Sequence, residues 1–358
     1  MIRRAQLTKI PLASSAAVFR VQKPATLLLT LEDEGGRIGF GEASPIDTHG
    51  SDTIERAEAC LRNADWSALG GGRPKLASLA SPSARFCVET ALLDLTGQRE
   101  GLPLYALLGG TERRSVERRS VERRSVEQRS VRSAQVLRPD HDALSALDDA
   151  TAEGWRTVKW KLRPETLAAD LEVIREAMAR YPDLHHRTDG NRRLSSSDAK
   201  ALAELDFALV EEPTEEPGDA AALGLPLGLD ESLANLEPES LQDLPYSPNA
   251  LVLKPTVLGG LARSLRFAEA GRHLGAEPIV SHALEGWVGY TALLHLAVAV
   301  GVNTDHGLGP HPGLDGYPAR GAPTQGPSVE VPDASGLGVT LESSGSFIAD
   351  RKNLLRTP

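Results

Sequence analysis

Cysteine is nearly absent: Cys60 and Cys87 are the two thiols in 358 residues. Two thiols build no disulfide framework, and they fit a reducing compartment. No apolar run approaches the roughly 20 residues of a membrane span; the best, residues 292–302, is interrupted by His295. A clean secretion signal is missing too. Arg3 and Arg4 precede a mildly apolar stretch, but Lys9, Pro11, Ser14 and Ser15 leave it without an apolar core. A cytoplasmic protein with no membrane partner is the expectation. Positive charge is also in deficit, with 39 Lys+Arg against 49 Asp+Glu and a formal net charge of -10. Such a chain gains no general attraction to nucleic acid, so no nucleic-acid partner is expected. An anionic substrate would have to be held by local cations or a metal.

The length suits a large α/β barrel with a smaller domain, and an apolar content of 41% is ordinary for a globular chain. Residues 1–112 mix strands and helices. "ATLLLTLEDEGGRIGFGEAS" predicts a hairpin, and "SARFCVETALLDLTGQREG" predicts a helix stopped by glycine. From residue 133 the rhythm is strand, helix, strand, helix. The predicted strands are 134–137, 157–162, 185–189, 207–211, 225–230, 250–254 and 278–281, with a weaker eighth near 302–305. Helices are predicted at 165–181, 195–205, 260–274 and 287–300. About eight such units in succession point to a TIM-type (β/α) barrel over residues 133–325. The tail, 326–358, has no place in eight units and is expected to return to an α+β N-terminal capping domain and complete it.

Between cap and barrel, residues 113–132 repeat Arg-Arg-Ser-Val-Glu almost perfectly. Five residues advance a helix by roughly 500°, so successive valines share no face. On a strand an odd period flips faces each time. The segment is therefore expected to be a solvated tether or surface helix, with a basic docking segment as the alternative.

The charges at predicted strand ends carry the chemistry. "TVKWKL" alternates faces as a strand, so Lys159 and Lys161 point one way and Val158, Trp160 and Leu162 the other. The next ends read "RTDGN", "LVEEP", "GLDES" and "VLKP". They carry Asp189 and Asn191, Glu211 and Glu212, Asp230 and Glu231, then Lys254. Acids on three consecutive strands converge at the C-terminal mouth, and lysines four strands apart face each other across it. Crowded carboxylates repel unless a cation sits among them, and hard oxygen donors suit Mg²⁺, with Mn²⁺ as a possible substitute. Such a cation stabilises the dianion formed when a carbon acid beside a carboxylate loses its proton. The base must then be a neutral amine. Lys159 and the metal would be the cations that keep Lys161 deprotonated.

The run "VKWKL", "RTDGN", "VEEP", "LDES", "LKP" resembles the enolase superfamily in its muconate-cycloisomerase branch, over nearly the whole chain. "GFGEASP" looks like the loop by which the family's cap reaches the site, and "RFCVETALLDL" is similar to its cap helix. Within the branch, "LKPTVLGG", "SHALEG" and "DHGLG" are most similar to the o-succinylbenzoate synthases. The resemblance implies a small-molecule carboxylate substrate, with Asp189, Glu211 and Asp230 as Mg²⁺ ligands. Glu211 is chosen over Glu212 as the first acid after the strand. It further implies Lys161 as the base of a syn dehydration in menaquinone biosynthesis and Lys254 as the cation that stabilises the enediolate. Arg187, two before the aspartate, matches a recurrent family position, at the substrate or behind the ligands.

The chain departs from the family after its seventh strand, where a serine run often holds the substrate's far carboxylate. Here Ser281 is followed by His282 and Ala283, and Trp287 replaces a small residue. Ser281 and His282 are the candidate grips on that carboxylate. A dipeptide epimerase or N-acylamino acid racemase would use the same metal and both lysines. Epimerases of the branch usually carry Asp-x-Asp near the eighth strand, where "NTDHGLG" offers Asp305 alone. A third reading is a non-catalytic barrel that docks a partner through the arginine repeat.

Overall fold

The computed structural model describes residues 1–12, 15–16, 21–22, 25–46, 52–66, 76–109, 130–301, 304–315, 317, 319–320, 323–341 and 352–354. The repeat expectation for 113–129 lies outside them. No helix among the described residues is long and apolar enough to cross a membrane.

The chain opens with antiparallel strands β1 (Ile2–Pro11), β2 (Ala25–Asp33) and β3 (Ile38–Ala43). The hairpin turn is held by Asp33, whose Oδ1 accepts from Gly35 N and Arg37 N at 2.8 and 3.0 Å, while Gly36 takes φ 76°. β2 is apolar on both faces because both are covered. Leu27, Leu29 and Leu31 pack with helix α1 (Pro82–Glu100), and Leu28 joins the barrel core. α1 starts where the Ser81 hydroxyl accepts from Ala84 N and stops at left-handed Gly101. It packs unusually close to β3: a Cβ on Gly41 would lie 1.9 Å from Cys87 O. Residues Lys352–Asn353 pair antiparallel with Gln6 and Leu7 on the free edge of β1.

β4 (Ser130–Arg132) takes up the last three residues of the repeat and pairs with Ser328–Glu330. Val131 is buried there, which a solvated tether would not provide. The barrel follows, with β5 (Gln135–Leu137), α2 (Ala143–Glu153), β6 (Thr157–Lys161), α3 (Leu167–Arg180), β7 (His185–Asp189), α4 (Ser196–Leu202), β8 (Leu209–Glu211), α5 (Pro217–Ala222), β9 (Leu227–Leu229), β10 (Ala250–Leu253), α6 (Leu261–His273), β11 (Glu277–Val280) and α7 (Trp287–Val300). The seven strands form one parallel sheet in sequence order. An eighth segment closes it two residues later than expected. His306 bridges Ser133 and Gly307 bridges Ser281. Trp160 faces outward into the core and stacks on His186, so the inward face of β6 is left to Thr157, Lys159 and Lys161.

Carboxylates of the N-terminal layer fasten it to the barrel. Glu89 on α1 accepts from Leu261 N at 2.5 Å and Ala262 N at 3.1 Å, and so caps α6 from another domain. Glu42 on β3 accepts from Gly286 N at 2.6 Å and Gly289 N at 2.9 Å, and so caps α7. Asp94 joins Phe40 N to Leu337 N, both at 2.9 Å. α7 is buried almost all round because it lies between barrel and cap.

Candidate active site

Parallel register sets the site. Lys161 is paired with Asp189 and Asp189 with Glu211, so three charged side chains stand in one row at the C-terminal end of β6, β7 and β8. Asp230 and Lys254 immediately follow β9 and β10 on the same rim. All three acids are buried, as is Lys254. Lys159 Nζ donates to both Glu211 oxygens at 2.6 Å and lies 2.9 Å from Asp189 Oδ2. Lys161 Nζ lies 2.5 Å from Asp189 Oδ2 and 3.3 Å from Asn191 Oδ1. Lys254 Nζ donates to Asp230 Oδ2.

The geometry separates the two acids of "VEEP". Glu212 turns away, with φ 26°, and its Oε1 accepts from Asp230 N at 2.9 Å and Ser232 N at 2.8 Å. It buttresses the next strand's end, while Glu211 faces the cluster. Asn191 and Arg192 are also left-handed, at φ 46° and 60°. Strained backbone of this kind concentrates where side chains must be aimed.

The electrostatics show a carboxylate nest with more negative charge than its surroundings carry easily. Burial together with repulsion from Asp189 pushes Glu211 up to about 8, against the pull of Lys159. Burial pushes Asp230 up to about 6 despite Lys254. Asp189 goes the other way: burial opposes its charge, but Lys159 and Lys161 together hold it well below the usual carboxylate range. Three hard oxygen donors, two of them reluctant to ionise without more positive charge, fit a divalent cation. Lys159 stands between Asp189 and Glu211 as a counter-ion and Lys254 pairs with Asp230, so the oxygens of the three acids are not drawn onto a single point. Among the described residues, the side chains whose ligand atoms do crowd within 4.8 Å are Asp140, His141 and Asp142. These are neighbours on the surface where α2 begins.

Above the acids lies a small cavity lined by Lys159, Lys161, Lys254, Ser281 and His282, with Val136, Leu284 and Ile46 as apolar wall. At about 40 Å³ it has room for little more than ordered water. Ile46 follows the "GFGEAS" strand and packs with Ala283 and Leu284, so the cap does reach this pocket. Ser281 Oγ donates to Gly307 O at 3.3 Å. His282 is fixed more firmly. Its Nδ1 accepts from Leu284 N at 3.4 Å and its ring centroid lies 4.1 Å from that of His311. Acceptance at Nδ1 leaves the proton on Nε2 of the neutral ring. Burial, with His311 and Lys254 close by, holds His282 well below the usual histidine range, so the ring is neutral at pH 7.

Two expectations move. Arg187 shares the inward face with Asp189 but stands one layer deeper, because alternate residues of a strand are about 7 Å apart. Its guanidinium donates to Asp305 O at 2.6 Å and Thr304 Oγ1 at 3.2 Å, away from the lysine pocket. Asp305 stands at that same far end, paired with Arg132 at 2.7 Å and accepting from Thr157 Oγ1 at 2.8 Å. Three residues of the site were not foreseen. His311 comes from an irregular loop with no periodic signal. Glu285 is buried, accepts from Thr256 Oγ1 and Ala283 N at 2.6 Å each, and so clamps the loop bearing His282. Ile46 lay just past a quoted motif.

The family model described as Enolase C-terminal domain-like matches residues 142–344. The o-succinylbenzoate synthase of Citrobacter koseri is 28% identical over 320 residues, covering 82% of this chain and 90% of its own. Muconate lactonizing enzyme from Pseudomonas putida has the same fold, with a TM-score of 0.78 at 23% identity over 95% of this chain and 97% of that one. A dipeptide epimerase from Enterococcus faecalis V583, solved with Mg and the dipeptide L-Leu-L-Tyr, superposes with a TM-score of 0.76 at 24% identity, over 95% and 99%.

Proposed function

The chain belongs to the enolase C-terminal domain-like family, and from that premise we propose that it is an o-succinylbenzoate synthase-like hydro-lyase. Its reaction is the Mg²⁺-dependent syn dehydration of a succinyl-hydroxycyclohexadiene carboxylate, a step of menaquinone biosynthesis. The observation that carries this reading is the pair Lys161 and Lys254, which reach one pocket from opposite sides of the barrel over three buried carboxylates.

Asp189, Glu211 and Asp230 would hold the Mg²⁺, which, when bound, supplies positive charge to the substrate carboxylate as negative charge builds on it. Lys161 takes the proton from the carbon beside that carboxylate, leaving an enediolate. Lys254 faces the opposite side and stabilises the enediolate's charge. The protonated Lys161 then gives its proton to the hydroxide leaving from the same face, so the C–O bond breaks and water departs. Lys159, held between Asp189 and Glu211, keeps the acids in place beneath the reacting carbon.

The runner-up, an epimerase or racemase with both lysines as bases, is disfavoured by one observation. Asp305, the acid available to hold a substrate ammonium, is engaged by Arg132 and Thr157 at the far end of the barrel. The deciding assay mixes purified protein, Mg²⁺ and the hydroxycyclohexadiene precursor and follows aromatisation by ultraviolet absorbance. Turnover is expected, and excess chelator should abolish it until Mg²⁺ is restored. Turnover of dipeptides or N-acylamino acids alone would replace this reading with the runner-up.

His282, which lines the lysine pocket, is assigned to the far carboxylate of the substrate, in place of the family's serine run. A hydrogen bond to a charged acceptor is worth about 1.5 kcal/mol or more. His282→Ala should therefore raise KM about tenfold with kcat within a few-fold. An unchanged KM would remove His282 from substrate binding.

A further inference from the structure

The barrel has a second polar cavity, at its N-terminal mouth. It measures about 370 Å³, far more than the lysine pocket. Its wall includes Arg156, His185, Arg187, Asn249, Glu277 and Asp305.

The charges there are unevenly matched. The Arg187 guanidinium donates to a backbone carbonyl and a hydroxyl, both neutral acceptors. Among the described residues it makes no ion pair. The nearby Asp305 carboxylate is taken by Arg132 at 2.7 Å and by Thr157 at 2.8 Å. Arg187 is half-buried and its hydrogen-bond acceptors are neutral, with Glu277 and Asp305 acting on it at longer range, so an added anion would offset the cost of its burial. Three more donors border the same space. Arg156 and His185 are exposed at the rim, and His185 shares the inward face of β7 with Arg187. No side-chain hydrogen bond or ion pair among the described residues occupies Arg156, His185 or Asn249. Counting Arg132, three guanidiniums face two carboxylates, Asp305 and Glu277. A guanidinium fork offers two parallel N–H groups to a planar or tetrahedral oxyanion.

We propose that this cavity binds a small oxyanion, phosphate-like or carboxylate, gripped by Arg187 and Arg156 with His185 and Asn249 as further donors. The site is independent of the lysine pocket and of the reaction assigned to it. The two sites lie at opposite ends of the same barrel strands; on β7, Arg187 sits two residues before Asp189.

Calorimetric titration of the full-length protein at low ionic strength tests it, with inorganic phosphate in one arm and succinate in the other. Saturable one-to-one binding is expected in at least one arm. Tighter phosphate assigns a phosphorylated ligand, and tighter succinate an organic acid. Arg156→Ala should weaken binding about tenfold, the equivalent of about 1.4 kcal/mol. Glu277→Gln should tighten it, because it removes a carboxylate from the rim. Both variants change the rim, so a folding defect is not expected to confuse the result, and a thermal scan checks this. Failure to saturate below about 10 mM in both arms, or binding indifferent to both variants, would overturn the proposal. So would binding lost in Lys254→Ala but kept in Arg156→Ala, since that places the anion in the lysine pocket.

Discussion

Lys161→Ala should cost about 10²–10⁴-fold in kcat, the range a positioned general base contributes, while the protein stays folded. The fold is expected to survive because Asp189 keeps Lys159 at 2.9 Å, and Lys161 is partly exposed in a pocket rather than packed in the core. The sharper variant is Lys161→Arg. An arginine preserves positive charge beside Asp189 but does not give up a proton in proteins. If Lys161 served only as a counter-ion to Asp189, arginine would restore turnover. If it moves the proton, arginine is as inactive as alanine. Steady-state kinetics with the hydroxycyclohexadiene substrate decide it, and an arginine variant within about tenfold of the parent would refute the assignment.

Glu42→Ala should be the most damaging single change to stability outside the apolar core. Glu42 is fully buried and accepts from the Thr26 hydroxyl at 2.8 Å and from two N–H groups at the start of α7. Truncation leaves the two buried N–H groups without their acceptor, while the Thr26 hydroxyl keeps Ala43 O at 3.0 Å. Each such loss costs about 1–3 kcal/mol, and water entering the gap recovers part of it. A net loss of about 2–4 kcal/mol follows; since about 2–4 °C per kcal/mol holds for roughly 150–250 residues and a longer chain shifts less, the expected drop in Tm is roughly 5 °C. Glu42→Gln keeps one acceptor oxygen and should lose less. The effect also reaches the site, because Gly286 ends the loop that carries His282 and Glu285. Partial unfolding aside, the surviving Glu42→Gln enzyme should show a raised KM before a lowered kcat. A thermal scan showing a shift below about 2 °C for the alanine variant would contradict the cross-domain cap.

Much of this was legible in the chain. The order of charged strand ends placed three acids between two lysines, and side-chain alternation put Lys159 and Lys161 on one face with Trp160 opposed. The register of β6, β7 and β8 agrees. The same alternation held a warning about Arg187. It shares a face with Asp189 but lies one step deeper, and depth along a barrel axis is not a property that a motif displays. Glu89 and Asp94 were visible as polar residues in an apolar helix. Their partners Leu261 and Leu337 lie more than 170 residues away in sequence, beyond the reach of any local pattern.

By itself the sequence determined the element order, the inward and outward faces of the strands, and the sign of the charge collected at the mouth. These depend on neighbours two to four residues apart, and covalent geometry transmits them directly. The tertiary structure decided which glutamate of "VEEP" enters the cluster and where the ring closes. It also sent Arg187 and Asp305 to the opposite pole and bound the cap to the barrel helices. Those outcomes depend on backbone groups from distant segments competing for the same buried carboxylates, and that competition is settled only when the chain closes on itself.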